Sequence, residues 1–141
     1  MSAVRIERGA GVARILLGPA GGVPSIDLAC ARELADAVRE VAGDREVRAV
    51  VLASEGKLFC AGGDIRAMHA AGDARPSMLA SILDDVHAAV LALRRMPQPV
   101  ITAVNGAAAG AGFSLAMAGD VVLASDKARF VVGYPGLCPT S

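Results

Sequence analysis

Aromatic residues and histidines are scarce in this chain of 141 residues. Aromatic side chains make up 3% of the sequence, tryptophan is absent and there are two histidines. Proteins that bind single-stranded nucleic acid stack the bases on aromatic rings, and phosphate binding calls for an excess of positive charge. The formal net charge is zero. The composition therefore argues against nucleic acid or an anionic membrane as the main partner.

Cysteines are also few, and their spacing indicates neither a disulfide framework nor a metal site. Cys30, Cys60 and Cys138 form no CxxC pair and have no histidine at the spacing of zinc ligands. The N-terminus carries scattered charges instead of the apolar core of a signal peptide. We therefore expect a reduced, cytoplasmic protein that holds no metal ion.

One long segment, residues 96–119, lacks charge altogether, in a chain that is 54% hydrophobic. Pro97, Pro99 and several glycines interrupt this segment and would break a membrane-spanning helix. Unpaired backbone groups are costly in lipid. We therefore expect no membrane span, and the apolar excess favours buried parallel strands or a subunit interface.

Hydrophobic periodicity predicts strands that alternate with helices. Two short strands flank the turn "GAG" near the N-terminus, and a helix follows over residues 27–42. The later predicted elements are the strand "VRAVVLAS", a short helix after "CAGGD", the long helix "SMLASILDDVHAAVLALRRM" and the strands "PVITAV", "DVVLAS" and "ARFVV". The polar segment "DARPS" is predicted to be a mobile loop. This order is typical of one α/β domain, here residues 1–141, with largely parallel strands.

Two glycine-rich turns, at residues 61–63 and 106–112, each lie between an apolar strand and a predicted helix. The start of a helix leaves backbone N–H groups unpaired. Two such turns at neighbouring strand ends could direct two N–H groups at one oxygen atom, as an oxyanion hole requires. Alternatively, the glycines only permit tight turns and close packing of helix on strand. Both interpretations stay open at this point.

Other glycine motifs fit these turns poorly. A dinucleotide-binding site requires GxGxxG directly after the first strand, and "GAAAGAG" has neither that spacing nor that place. A P-loop requires GK[ST], which the chain lacks. "GFSLA" around Ser114 approaches the GxSxG of serine hydrolases but ends in Ala116. His69 and His87, the only histidines, both precede the serine on predicted helices. A serine hydrolase that uses Ser114 is therefore kept as an alternative function.

The segments "KLFCAGGDIRAM" and "PVITAVNGAAAGAGFSLAMAGDVVLASDKARF" closely resemble the two signature segments of the crotonase (enoyl-CoA hydratase/isomerase) superfamily. This resemblance implies an α/β fold, a spiral of repeated ββα units of the ClpP/crotonase type, acting on acyl-CoA thioesters of fatty acid metabolism. It also implies that two backbone N–H groups hold the thioester oxygen as an enolate forms. No cofactor is implied beyond the coenzyme A of the substrate.

Matched residue by residue, the resemblance places the two oxyanion-hole donors on Gly63 and Ala111. It also implies that the segment Ala61, Gly62, Gly63, Asp64, Ile65 and Arg66 borders the coenzyme A path. Arg66 could reach a phosphate of coenzyme A, or could instead form an exposed salt bridge. Asp64 is expected to cap the short helix that follows it, and Asp120 is expected to be structural.

The acid–base residues depart from the family pattern. The positions of the two hydratase glutamates fall on Ser114 and Tyr134, and a later aspartate position falls on Thr140. Hydration needs a positioned acid or base, so the resemblance implies thioester binding more directly than it implies a particular reaction. Tyr134 is a poor base at its ordinary pKa near 10. His87 is the other candidate base, although an exposed helix position is the simpler interpretation.

The chain is shorter than family members usually are. The resemblance implies an N-terminal portion, truncated before the C-terminal helical region that covers the acyl pocket, and a homo-oligomer, a trimer or hexamer. Exposed apolar surface would follow from such truncation. An acyl-CoA-binding subunit without catalytic activity is therefore a second alternative to an enoyl-CoA hydratase/isomerase.

Overall fold

The structure is a computed structural model that describes residues 2–19 and 22–132. Its strands are β1 (Val4–Gly9), β2 (Val12–Leu17), β3 (Ala49–Ser54), β4 (Val100–Val104), β5 (Ala107–Ala109), β6 (Val121–Ala124) and β7 (Arg129–Val131). Its helices are α1 (Leu28–Ala42), α2 (Ile65–Ala70), α3 (Arg75–Arg95) and α4 (Ala111–Ala116), with a 3-10 turn at Gly72–Ala74. Strands and helices alternate along the chain as the periodicity predicts.

A five-stranded sheet forms the centre of the molecule, in the order β1-β2-β3-β4-β6. β1 pairs with β2 antiparallel, and the pairs β2–β3, β3–β4 and β4–β6 are all parallel. The prediction of largely parallel strands is confirmed. Ile15, Val50 and Leu52 are fully buried in this sheet, as expected for strands covered by helices.

Helix α1 begins one residue after the predicted start and ends at the predicted residue, Ala42. The Asp27 carboxylate accepts the Cys30 N–H at 2.8 Å and so caps the first turn, and Gly43 ends the helix. One face of the helix buries Leu34, Val38 and Val41, because apolar residues three or four apart share a face. This face packs on the sheet and against α3.

The prediction of a mobile loop at "DARPS" is wrong, because α3 begins at Arg75 within it. Pro76 lies in the first turn of α3, where a missing N–H breaks no helical hydrogen bond and the fixed φ of proline suits the helix. Pro76, which the sequence suggested to be part of a loop, therefore lies at the start of a helix.

Helix α3 buries Ile82, Val86, Ala89 and Leu93, whereas Leu83, which fits the same apolar pattern, is 64% exposed. By length and composition alone, the helical stretch Gly72–Arg95 could cross a membrane: an 18-residue window of it has a mean hydropathy of 1.3, and 22% of that window is buried. Soluble core helices meet the same criterion. The absence of a membrane span therefore stays a prediction, and the segment 96–119 forms β4, β5 and α4.

A smaller second layer crosses the carboxyl ends of β3 and β4. In it, β5 pairs with β7 in parallel, Cys60 pairs with Ala108, and Ile26 pairs with Gly63. β5 lies where the sequence predicts only a loop, since three alanines in a row carry no strand signal. This layer brings the residues after β3 beside the residues after β4.

Candidate functional site

The two glycine-rich turns lie in direct contact with each other. A Cβ built on Gly62 would lie 2.6 Å from the Ala109 carbonyl oxygen and 3.5 Å from the Ala111 nitrogen. Gly62 also has a φ of 88°, a conformation that side chains other than glycine rarely adopt. Both the lack of space for a Cβ and the positive φ therefore require glycine at position 62, where the two turns are in contact.

Hydrogen bonds to the segment before α1 fix the first turn. The Ala61 N–H donates to the Pro24 carbonyl at 2.8 Å, and the Asp64 N–H donates to the Ile26 carbonyl at 3.0 Å. The Gly62 carbonyl accepts the Ile26 N–H at 2.7 Å. Because the peptide between Gly62 and Gly63 is trans, the Gly63 N–H points away from Ile26. This N–H donates no hydrogen bond within residues 2–19 and 22–132. Cys60 of the same segment pairs with Ala108 of β5.

The second turn is held by β-bridges on both sides. The Ala109 N–H donates to the Cys60 carbonyl at 2.9 Å, and the Gly110 N–H donates to the Val131 carbonyl at 3.1 Å. Gly110, at φ 55° and ψ −122°, then turns the chain into α4. Ala111 is the first helical residue, so its N–H has no partner inside the helix. Among the described residues it has no other partner either.

Most glycines of the two turns serve close packing of backbone on backbone. A Cβ on Gly112 would overlap the Cys60 carbonyl oxygen, and a Cβ on Gly106 would overlap the Lys57 carbonyl oxygen. The packing interpretation is correct for these residues. Gly63 differs, because a Cβ there would meet only the terminal methyl group of Met68.

The predicted coenzyme A segment, residues 61–66, starts at the turn contact and runs into α2. Asp64 caps this helix by accepting the Ala67 N–H at 3.0 Å, which confirms its structural role. Ile65 is 57% exposed, and Ala61 and Arg66 are exposed as well. Arg66 forms no salt bridge with another described residue. The segment therefore presents an accessible surface with a cationic side chain.

Of the candidate acid–base residues, Ser114, His69 and His87 lie within the described part of the chain, and none of their side chains makes a hydrogen bond to another described residue. Ser114 is exposed on α4. His69 and His87 are exposed on α2 and α3. Tyr134 and Thr140 lie outside the described residues.

Asp120 is structural, as predicted. Its carboxylate accepts the Val100 N–H at 2.7 Å, and its own N–H donates to the Val100 carbonyl at the same distance. Its other carboxylate oxygen lies 3.5 Å from the Arg94 guanidinium. These contacts join the residue before β6 to the start of β4.

The thiols beneath the turns are poor nucleophiles. Burial raises the pKa of the Cys60 thiol, and a hydrogen bond from the Gly62 backbone opposes that rise. Burial, followed by the nearby Cys60, raises the pKa of Cys30 to about 12. Both thiols therefore stay protonated near neutral pH, and Cys60 contributes packing and backbone pairing instead of covalent chemistry.

A groove of about 610 Å³ lies between α1, α2 and α3. Its lining residues are Asp27, Leu28, Ala29, Arg32, Glu33, Asp36, Ala67 and Met78, so it includes neither Gly63 nor Ala111. We place the candidate site at the turns instead, because two N–H groups without a partner among the described residues flank their contact. The sequence predicts both as donors, and that stays a prediction. It gave no sign of the contacts of Gly62 and Met68 beyond the adjacent "GG" pair.

Comparisons with known proteins agree with this fold. A model of the family described as enoyl-CoA hydratase/isomerase matches residues 7–137. The chain is 40% identical over 111 residues to the 1,2-epoxyphenylacetyl-CoA isomerase of Escherichia coli, covering 76% of this chain and 42% of that protein. It is 33% identical over 132 residues to the trans-2-decenoyl-[acyl-carrier-protein] isomerase of Streptococcus mutans, covering 92% and 50% respectively.

A solved structure extends the comparison to three dimensions. The enoyl-CoA hydratase of Mycobacterium smegmatis matches with a TM-score of 0.87 at 32% identity, over 96% of this chain and 52% of that one. The crotonase-type fold expected from the resemblance is therefore confirmed. The chain spans about half the length of the relatives that it matches.

Proposed function

This chain belongs to the enoyl-CoA hydratase/isomerase family, and from that membership we propose that it binds acyl-CoA thioesters. The thioester oxygen would accept hydrogen bonds from the Gly63 and Ala111 N–H groups, which form a backbone oxyanion hole. The chain would then act as an enoyl-CoA hydratase or isomerase, a lyase or isomerase that stabilises a thioester enolate.

The observation that carries this proposal is the pair of N–H groups beside the contact of the two turns, neither of which has a partner among residues 2–19 and 22–132. The Gly63 N–H points away from Ile26, because the carbonyl of the same peptide accepts the Ile26 N–H and the peptide is trans. The Ala111 N–H opens α4 in the neighbouring turn, within contact distance of a Cβ placed on Gly62. Two donors on adjacent turns suit one acceptor oxygen.

The chemistry follows from where negative charge develops. Removing a proton beside a thioester carbonyl, or adding water across the neighbouring double bond, moves an electron pair onto the carbonyl oxygen. Fixed N–H donors stabilise that oxygen more in the transition state than in the substrate, and each is typically worth about 10²–10³ in kcat. Backbone donors suit this task because the second layer already holds them in place.

The segment after the first donor supports a coenzyme A thioester as the substrate. Ala61, Ile65 and Arg66 are exposed next to Gly63, which leaves an apolar strip and one cation without a described partner. A phosphate of coenzyme A suits the Arg66 guanidinium. The Escherichia coli relative is named for a coenzyme A thioester, and the Streptococcus mutans relative for an acyl-carrier-protein thioester.

A non-catalytic acyl-CoA-binding subunit is the second candidate, and Ser114 favours it. This residue occupies one of the family's glutamate positions, and a hydroxyl group at its ordinary pKa is a weak general base. The nearest carboxylate in sequence to the first donor, Asp64, is committed to capping α2. Binding would then persist where turnover is missing.

Ala111→Pro tests the oxyanion hole at low structural cost. Proline is favoured at the first position of a helix, so the change removes the N–H and leaves α4 in place. We expect a loss of about 10²–10³ in the turnover of crotonyl-CoA, followed by its ultraviolet absorbance. Ala111→Ser keeps the N–H and is the matched control. Equal turnover of the two variants would remove Ala111 from the site.

Gly63→Pro removes the other donor. We expect this variant to lose turnover while calorimetry still detects binding of coenzyme A, because the binding segment beyond Gly63 is intact. Unchanged activity would contradict the assignment of Gly63.

Binding and turnover measured together separate the candidate functions. Binding of butanoyl-CoA with crotonyl-CoA turnover supports the enzyme, and binding without turnover supports the non-catalytic subunit. Labelling of Ser114 by a fluorophosphonate would support the serine hydrolase, and its absence would end that alternative.

We also propose a cytoplasmic homo-oligomer, a trimer or hexamer. The support is a set of exposed apolar residues near the end of the described chain: Val121, Leu123, Phe130, Val131 and Val132. Exposed apolar surface of this kind favours association with another subunit. Light scattering after size-exclusion chromatography measures the mass, and a monomer at micromolar concentration would contradict the proposal.

A further inference from the structure

Met68 on α2 has a contact that the proposed function leaves unexplained. Its terminal methyl group occupies the position to which a Cβ on Gly63 would point. The Met68 methyl and the Gly63 backbone are therefore in contact, so one face of the proposed donor residue is covered by a thioether side chain.

The backbone of Met68 is held, whereas its side chain is not locked in the core. The Met68 N–H donates to the Asp64 carbonyl at 3.0 Å, and its own carbonyl accepts the Arg75 guanidinium at 3.0 Å. Helix α2 buries no residue, and Met68 itself is half-buried. An unbranched thioether with free rotation can adapt its shape to what it touches.

We propose that Met68 selects the acyl group by limiting bulk beside the thioester carbonyl, an inference that rests on the proposed function. An oxygen bonded to the Gly63 N–H lies about 2.9 Å from that nitrogen. The carbon that carries the oxygen, and the first carbon of the acyl chain, then lie beside Gly63, where the Met68 methyl already sits. A compact straight chain fits there without moving Met68, and a substituent on that first carbon displaces it.

Met68→Ala tests this assignment through relative affinities. Calorimetry would compare butanoyl-CoA with 2-methylbutanoyl-CoA and phenylacetyl-CoA on the full chain. We expect the affinity ratio of bulky to straight acyl groups to rise about tenfold, the discrimination that one or two methylene groups give in an apolar pocket. Met68→Leu keeps the volume and is expected to keep the ratio.

Met78→Ala is the matched control, because Met78 is also half-buried but lies on α3 in the groove beside α1. It is expected to leave the affinity ratio unchanged. If Met68→Ala leaves the ratio unchanged too while the wild-type chain binds butanoyl-CoA, the assignment of Met68 is wrong and the proposed function stands. If the wild-type chain binds none of the three thioesters, both the proposed function and the assignment of Met68 are wrong.

A double-mutant cycle tests the contact without relying on the change in pocket size. Gly63→Ala keeps the N–H donor and pushes the Met68 methyl aside, so we expect it to weaken butanoyl-CoA binding about threefold or more. In the Met68→Ala background the new Cβ finds space, and the same change should have little effect. Equal effects in both backgrounds would overturn the inference.

Discussion

The two glycine-rich turns look alike in sequence and differ in what surrounds their glycines. In the second turn, Gly106 and Gly112 face carbonyl oxygens of Lys57 and Cys60, which are parts of the backbone and cannot move alone. In the first turn, Gly63 faces the end of the Met68 side chain, which can rotate away. The second turn is therefore held rigidly by backbone contacts, whereas the first turn has one contact, between Gly63 and the Met68 side chain, that can rearrange.

This difference shows how one residue type serves two purposes. A glycine packed against backbone stabilises the fold, because any side chain there would force two chain segments apart. A glycine packed against a flexible side chain leaves room for the site to change shape. Substitutions at these glycines should therefore differ in their cost to stability.

Gly112→Ala should have the largest effect on stability. Its Cβ would overlap backbone atoms of Cys60, and such overpacking typically lowers the free energy of unfolding by about 1–3 kcal/mol, here toward the upper end. Urea denaturation measures the change. Gly9→Ala is the matched control, because a Cβ on Gly9 meets nothing within 4 Å. Equal stability of the two variants would break the comparison.

Alkaline pH should lower the free energy of unfolding through the buried Cys30 thiol of α1. The Cys30 thiol has a pKa of about 12 in the folded chain, against an ordinary value of 9.0 that applies to the unfolded chain. Between these values the unfolded chain releases a proton that the folded chain keeps, so the free energy of unfolding falls as the pH rises above 9. The fall is at most about 1.4 kcal/mol per pH unit. It is absent near pH 7, where the thiol is protonated in both states.

Denaturation of the wild-type chain and of Cys30→Ala at pH 7.5 and pH 10.5 measures this effect. The variant should lose less stability between the two values than the wild-type chain does. Identical losses would show that the Cys30 thiol ionises as easily in the folded chain as in the unfolded one.

Asp64→Ala should destabilise helix α2, which follows the first turn, without unfolding the domain. It removes the cap that accepts the Ala67 N–H, a change worth about 1 kcal/mol. Because α2 buries no residue, we expect faster amide hydrogen exchange in α2 and little change in α1. Asp64→Asn keeps a capping oxygen and should exchange at nearly the wild-type rate, whereas equally fast exchange in both variants would contradict the capping role.

Gly63→Ala should have the smallest effect on the free energy of unfolding, about 0.5 kcal/mol. The Met68 methyl can rotate to make room, and no positive φ restricts this position. Urea denaturation beside Gly112→Ala makes the comparison within one experiment. A loss as large as that of Gly112→Ala would show that the first turn is as rigid as the second.

Local sequence patterns predicted much of the fold correctly. Helix α1 has an aspartate cap, an apolar stripe and a closing glycine, and its bounds agree with the prediction to within one residue. Strands β3, β4 and β6 are short apolar runs rich in valine, and their length and composition favour strands over buried helices. The prediction failed at "DARPS" and at β5, where local composition suggests a loop and long-range pairing decides the structure.

The candidate site was predicted in part, and its missing residues have a common cause. Gly63 and Ala111 follow from the two signature segments. Gly62 and Met68 do not, because their roles depend on which atoms of the other turn and of α2 lie near them. A motif gives the order of residues along the chain but not their neighbours in space.

The family, the alternation of strands and helices, and the two turns that carry the proposed donors all follow from the sequence. The reason is that the spacing of apolar residues and the positions of glycines are local properties of the chain. Only the tertiary structure decided the direction of the Gly63 N–H, the meeting of Gly62 with Ala109 and Ala111, and the cover that Met68 places on Gly63. The physical reason is that these features arise from hydrogen bonds and packing between separate segments, which no local pattern of residues records.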